Sequence, residues 1–357
     1  MAFYVFNFGI NMFVGKGLLM CNKKGWYRIF TIVQLTLIAG LRAESVGLDT
    51  HTYLEYFDHL SGTVNVGEAI RRLSWVEPGY VLLNYAVFRM GGNAQMVLFI
   101  CAAIISILFV NFVFEHSESP FWGMFFLFCF PSFYDSMCFI RTSLVSAVFL
   151  FSLRYVKRKQ LVRYAIVIFI GATFHIMSLL CLPLYFVDKI NWRKRRNIVL
   201  FILLDIMAFQ CILQLRDFTM WILGRANSGV YSGINYWIGQ NSGGWKTAIF
   251  FGVLFICAYF FYYSKCKKTA DEDFLAGYAF CLPLCAFLFP TAQIMIRFMI
   301  LFMPIFGVFL SKEIVSIRNR NSRIMIKCFY FFLGFAFQIY TISNNALGFA
   351  PYVPFWK

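Results

Sequence analysis

A chain of 357 residues, 61% of them hydrophobic and 13% charged, is too apolar for a soluble globular domain, in which about 25% of residues carry charge. Its apolar stretches run continuously where barrel strands would alternate, which excludes a closed β-barrel and predicts an all-α polytopic membrane protein. The net charge of +16 does not point to nucleic acid, because the cations gather in short clusters between apolar runs ("KK" at 23–24, "KRK" at 157–159, "RKRR" at 193–196, "KCKK" at 265–268, "RNRNSR" at 318–323). That is the positive-inside pattern of cytoplasmic loops, and anionic headgroups account for it.

The first apolar run, residues 2–20, leads into the first basic cluster, so the N-terminus is expected outside the cytoplasm. Residues 1–15 lack the basic leader of a cleavable signal peptide. The run 29–41 returns outward and delivers Arg42 and Asp49 to the outer face. Further runs lie near 79–90, 95–114, 120–134 and 138–154. Four crossings there would leave "KRK" outside, so one run does not span. The run 79–90 has the length, about 12 residues, of an interfacial or re-entrant segment. Residues 42–94 are therefore expected as one outer loop, which holds six of the sixteen acids: Glu44, Asp49, Glu55, Asp58, Glu68 and Glu77. A loop this long without a span of its own usually has a function.

The same parity argument applies to 162–187, which precedes "NWRKRRN". Two short helices meeting near "TFHIMS" keep that cluster inside and leave His175 near the outer face. Runs at 197–213, 247–264, 273–289, 296–311 and 324–342 then alternate, with 214–246 as a second large outer loop and the tail outside. The expectation is a single transmembrane domain, 1–357, of about eleven or twelve helical crossings. The eleven cysteines form no CxxC pair and read as buried free thiols.

On this threading the outer face carries Arg42, Arg71, Arg72, Arg89, Arg141, Arg216, Arg225 and Arg297, but only Lys246 and Lys357. Guanidinium binds phosphate bidentately and keeps its charge when desolvated, so the bias suggests a phosphate or pyrophosphate ligand; snorkelling at the headgroups is the alternative. Arg141 in "MCFIRTSL", Arg297 in "AQIMIRFMI" and Arg42 at its helix end are expected to converge on a pyrophosphate. The competing reading pairs them with acids of the same chain. Asp49 could act as a base toward a sugar hydroxyl or could simply open a helix at "DTHTY" as its N-cap. His175, the one histidine among apolar residues, is either a base or a satisfied core side chain. Glu77 and Tyr80, with Trp75, offer an acceptor and an aromatic platform for a sugar. Trp221, Tyr231, Tyr236, Trp237 and Trp245 give the second loop the same character, which aromatic belts also explain. Asp205, mid-run, is read as structural. No HExxH, DxD or phosphate-binding glycine loop occurs, so no protein-built metal site is expected, and a divalent ion shared between Asp49 and a phosphate is left open.

In "GLRAESVGLDTHTYLEYF", "EPGYVLLN", "FIRTSLVSAVFLFSLRYVKRK" and "ATFHIMSLLCLPLYF" the sequence resembles the EpsG/Wzy family of bacterial exopolysaccharide and O-antigen polymerases. The resemblance covers most of residues 1–190, with Arg297 beyond it. One departure is "IRTSLVSA", where the family often has a glutamine and an alanine after the arginine. The resemblance implies a GT-C-like membrane glycosyltransferase of the bacterial inner membrane, with its two large loops and active site on the periplasmic side. It would move a growing glycan from undecaprenyl pyrophosphate to the non-reducing end of the next undecaprenyl-pyrophosphate-linked repeat unit. Family-like positions are Arg42, Asp49, Glu77, Arg141 and His175; Tyr53, Arg225 and Arg297 join them as substrate-binding candidates. Implied partners are the lipid-linked oligosaccharide, membrane lipids and a chain-length-regulating membrane protein. A flippase of lipid-linked units, or a glycan ligase, is the alternative function.

Overall fold

The computed structural model describes residues 1–204, 206–207, 210, 244–264, 270–290 and 294–357, and among these every regular element is a helix. The described chain falls into two compact units, Met1–Tyr185 with Leu310–Lys357, and Phe186–Phe309.

In the first unit, α1 (Ala2–Met20) and α2 (Lys24–Gly40) are joined by a tight turn at Asn22, φ 58°. Their seam is polar. Asn11 donates to Thr31 Oγ1 at 3.0 Å and to Gln34 Oε1 at 2.7 Å, and accepts from the Tyr27 hydroxyl at 3.0 Å. Such mutual satisfaction is what a bilayer demands of buried polar groups.

Three short helices follow: α3 (Thr50–Asp58), α4 (Val66–Arg72) and α5 (Pro78–Arg89). Asn65 caps α4 by accepting from Glu68 N at 2.9 Å, while the Glu68 carboxylate reaches back to Val64 N at 3.0 Å, a reciprocal arrangement like a capping box. Pro78 fills the first turn of α5, where its missing N–H costs nothing. The expected non-spanning segment in the outer loop is thus a 12-residue helix.

The long α6 (Ala94–His116) is capped by Asn93 and packs along α2 and α9 (Ile140–Lys157). Between them, the run expected at 120–134 is not one helix. It divides into α7 (Pro120–Cys129) and α8 (Ser132–Cys138), because Pro131 cannot continue the ladder of α7.

After α9, α10 (Leu161–Ala172) and a 3-10 segment, Ile176–Lys189, form a hairpin. The Ser178 hydroxyl donates to Ile168 O at 2.8 Å, the Tyr164 hydroxyl donates to Cys181 O at 2.5 Å, and the Tyr164 and Tyr185 rings lie 5.3 Å apart. This is the fold-back expected from charge parity, with Thr173 to His175 at its tip.

The second unit contains α11 (Trp245–Ser264), α12 (Ala270–Ala279), α13 (Cys281–Leu288) and the start of α14 (Met295–Ser316). There too a continuous apolar run, 273–289, is broken, at Phe280. Among the described residues α1, α6, α11, α14 and α15 (Arg320–Asn344) are long and apolar enough to cross a membrane. The all-α polytopic class is established; part of the expected crossing is built from broken helices. The described cysteines are free thiols, Cys101, Cys129, Cys138, Cys181 and Cys281 buried.

Past α15 the chain turns at Asn345, left-handed at φ 44°, and folds onto the loop after α2. Ala43 N donates to Val353 O at 2.8 Å, Gly47 N to Gly348 O at 2.9 Å, Leu48 N to Leu347 O at 3.0 Å, and Phe355 N to Leu41 O at 2.9 Å. The tail thus shapes the segment that enters α3.

Candidate functional site

Asp49, Tyr53 and Tyr56 share one face of α3 at positions i, i+4 and i+7. Tyr53 is buried, and its ring lies 5.8 Å from that of Tyr80 on α5 and 6.0 Å from that of Tyr56. Arg141, in the first turn of α9, hydrogen-bonds Tyr53 and sets its guanidinium carbon 5.9 Å from the Tyr56 ring centre. Burial pushes both phenols up, Arg141 pulls them down and Asp49 pushes them up again. One carboxylate, one guanidinium and three phenols therefore act on each other within a single cluster.

The start of α5 is locked to the hairpin tip. Gly79 N donates to Thr173 O at 2.7 Å, and a Cβ at position 79 would lie 2.2 Å from Thr173 Oγ1. Only glycine allows that approach. The contact delivers Glu77, the residue just before α5, to three partners. Its Oε2 accepts from Arg141 Nη1; its Oε1 lies 3.0 Å from His175 Nδ1 and accepts from Ile176 N at 3.1 Å.

The side chains of Glu77 and Arg141 are each 18% exposed and that of His175 is 13%, so the group is sheltered yet reachable. Burial would raise the Glu77 carboxyl, but the His175 hydrogen bond, the Arg141 charge and the Ile176 N–H outweigh it and hold it at about 2. Ionised, Glu77 can only accept. An imidazole that donates to it through Nδ1 in its neutral form keeps the Nε2 lone pair for another proton.

Five expected site residues, Asp49, Tyr53, Glu77, Arg141 and His175, thus fall in one neighbourhood. For Arg141 the competing reading holds as well: it does pair with an acid of its own chain.

Arg42 is placed differently from the expectation. Its side chain is 1% exposed and spends its donors on the chain's own carbonyls: Val46 O at 3.2 Å, Met137 O at 2.7 Å and Ala39 O. Burial lowers its pKa to about 10, which leaves it charged at neutral pH. Beside it, an isolated antiparallel bridge pairs Arg42 with Pro354, so Arg42 is a staple of the loop that leads to Asp49. Arg297 lies in the second unit, in the first turn of α14. Arg225, Asp205 and nearly all of the stretch expected to form the second outer loop, 214–246, lie outside the described residues.

Sequence reasoning missed Tyr56 and Thr173. Tyr56 could have been found by carrying the helical spacing of Asp49 and Tyr53 one step further. Thr173 acts through its backbone and its fit against Gly79, for which no sequence signal exists. Outside the cluster, exposed His51 bridges Glu44 and Glu55, and the Glu44 hydrogen bond pushes its pKa up. Among the described residues no group of three or more His, Cys, Asp or Glu is arranged to hold a metal ion.

Compared with known proteins, the chain matches the family model described as EpsG family over residues 25–353. No curated protein and no solved structure matches it.

Proposed function

The chain belongs to the EpsG family, and on that premise we propose that it polymerises a polysaccharide from lipid-linked repeat units, with His175 as base. The donor is a glycan on undecaprenyl pyrophosphate, and the acceptor is the non-reducing end of the next undecaprenyl-pyrophosphate-linked unit. The acceptor hydroxyl attacks the anomeric carbon and passes its proton to His175 Nε2. The bond from that carbon to the diphosphate oxygen breaks, and its electron pair leaves with the lipid diphosphate.

The observation that carries this reading is Glu77, held between Arg141 and His175. It fixes the imidazole tautomer from one side and the guanidinium from the other, so base and cation stand together. Arg141 is the cation for the departing diphosphate. One well-placed donor to a developing anion contributes roughly 2.7–4 kcal/mol in other enzymes. Tyr56 offers a face for the sugar, whereas Tyr80, expected to share that role, is fully buried against Tyr53 and Tyr56; Asp49 is the alternative base. The role left to Arg42 is to hold the loop. The site would face the periplasm from the inner membrane.

Surface glycan from cells carrying each variant tests the assignment. Deletion of the gene should leave single repeat units on the surface lipid; their absence would assign the chain to flipping or ligation instead. His175→Ala and Arg141→Ala should reproduce the deletion with protein still in the membrane, His175→Ala losing roughly 10²–10⁴-fold in rate. Near-normal chains in both would sink the site.

A further inference from the structure

The broken pair α7 and α8 lies inside the first unit. Every residue of α8 and all of α7 except Phe121 are buried, and α7 packs against α1, α6 and α15. The break leaves oxygen atoms without donors. Pro131 has no N–H to offer Leu127 O, the carbonyl four residues before it. Neither Phe128 O nor Cys129 O accepts from the backbone N–H four residues on. Carbonyls at a helix C-terminus are ordinarily met by a cap, by water or by a ligand.

Just past the break stands Asp135, an acid in a wholly buried helix. It is 2% exposed, and its Oδ2 finds no hydrogen-bond partner among the described residues; nor does the hydroxyl of fully buried Ser132. Three positions apart on α8, these two side chains share one face. The Asp135 carboxyl joins none of the ion pairs of the described residues. An ionisable group inside a membrane protein normally has a partner or a task. Here a carboxylate, a hydroxyl and a helix end with donorless carbonyls meet at one break, an all-oxygen set of the kind hard cations take. Its single carboxylate balances one positive charge, which suits a monovalent ion rather than calcium. Transporters use the same combination, where the C-terminal ends of broken helices hold sodium ions or protons.

We propose that the α7–α8 break binds a monovalent metal cation, held by the Asp135 carboxylate, the Ser132 hydroxyl and the last carbonyls of α7. The ion would also act beyond its own ligands. Met137 O, on the same short helix, accepts from Arg42 Nη2 at 2.7 Å and from the Thr50 hydroxyl at 3.3 Å. Pinning α8 to the end of α7 therefore steadies the loop that leads from Arg42 to Asp49. The inference stands apart from the polymerase reading, because its test reads ion binding and not glycan.

The test is thermal melting of the purified full-length chain in detergent. Sodium chloride or potassium chloride is exchanged stepwise, at constant ionic strength, for N-methylglucamine chloride, whose cation is too bulky for the break. The midpoint should rise saturably by about 3 °C or more with a metal ion, and the more effective ion identifies the occupant. Asp135→Asn, a neutral isostere, should melt alike in all three salts. Ser132→Ala should need roughly tenfold or more salt for the same rise; it keeps the proposal testable if Asp135→Asn does not fold. Asp58→Asn, an exposed acid at the end of α3, should respond like the wild type. Wild-type melting alike in all three salts would overturn the proposal and leave Asp135 holding only a proton. A metal response retained by Asp135→Asn, or an unchanged salt requirement in Ser132→Ala, would overturn it as well.

Discussion

Glu77 gathers more of the site than any other side chain, and its ionisation can be followed by pH. Its pKa is held at about 2, below the ordinary 4.5. A carboxylate depressed in this way stabilises the fold fully above its unfolded value and loses that contribution as pH falls through the folded one. That contribution is spread over the contacts with Arg141, His175 and Ile176. Glu77→Gln should therefore melt lower than the wild type by a constant margin between pH 5 and 8. The margin should shrink between about pH 4.5 and 2, as the wild-type carboxyl takes up its proton. Thermal melts of detergent-solubilised protein across that range check the sign; a margin that widens with acid would contradict the ion cluster. Gly79 gives a second test without any charge. Gly79→Ala places a methyl 2.2 Å from Thr173 Oγ1, so it should disrupt the junction and with it both stability and polymer length. Gly25→Ala, whose Cβ would meet nothing within 4 Å, should do neither. Thermal melts and glycan length report both variants.

At the scale of elements, what sequence could and could not reveal separates by the kind of force involved. Charge parity between basic clusters predicted the fold-back at 162–187 and the non-spanning α5, because a bilayer penalises a cation on the wrong side and a short run cannot cross. The same reasoning put His175 and Glu77 on one side of the membrane, and in the fold they meet. Hydropathy could not show that 120–134 breaks at Pro131, since an apolar run reads the same whether it is straight or bent. Nor could it assign the tail. Residues 347–355 hold the loop of Arg42 through backbone hydrogen bonds, which leave no side-chain signature. In sequence Arg42 reads as a ligand-binding cation, because its carbonyl partners at Val46 and Met137 are invisible before folding. Deleting residues 347–357 should free this loop. Limited proteolysis should then cut between residues 41 and 49 at least tenfold faster than in the intact chain, and polymer should be lost. Unchanged cleavage would show that the tail is not a strap.

At the scale of the whole molecule, α6 and α9 pack side by side and lead from the Glu77 cluster to the basic turn at Arg158 and Lys159. At the near end, Gln95 on α6 donates to Gly40 O at 2.6 Å and to Arg42 O at 3.1 Å, while Arg141 opens α9 beside Glu77. At the far end stand His116 and Lys157, 3.2 Å apart. Both helices run the full distance between these ends, so the sidedness of one end fixes that of the other. This can be read by labelling. In a chain whose eleven cysteines have been replaced, single cysteines at exposed Ser61, between α3 and α4, and at exposed Lys159, in the α9–α10 turn, should behave oppositely. A membrane-impermeant maleimide added to intact spheroplasts should label the first and reach the second only after permeabilisation. The reverse result would move the Glu77 cluster to the cytoplasmic face, where a periplasmic polymerase could not use it. Labelling of both from outside would mean that α6 and α9 do not span, which would remove the basis for placing the Glu77 cluster on one face.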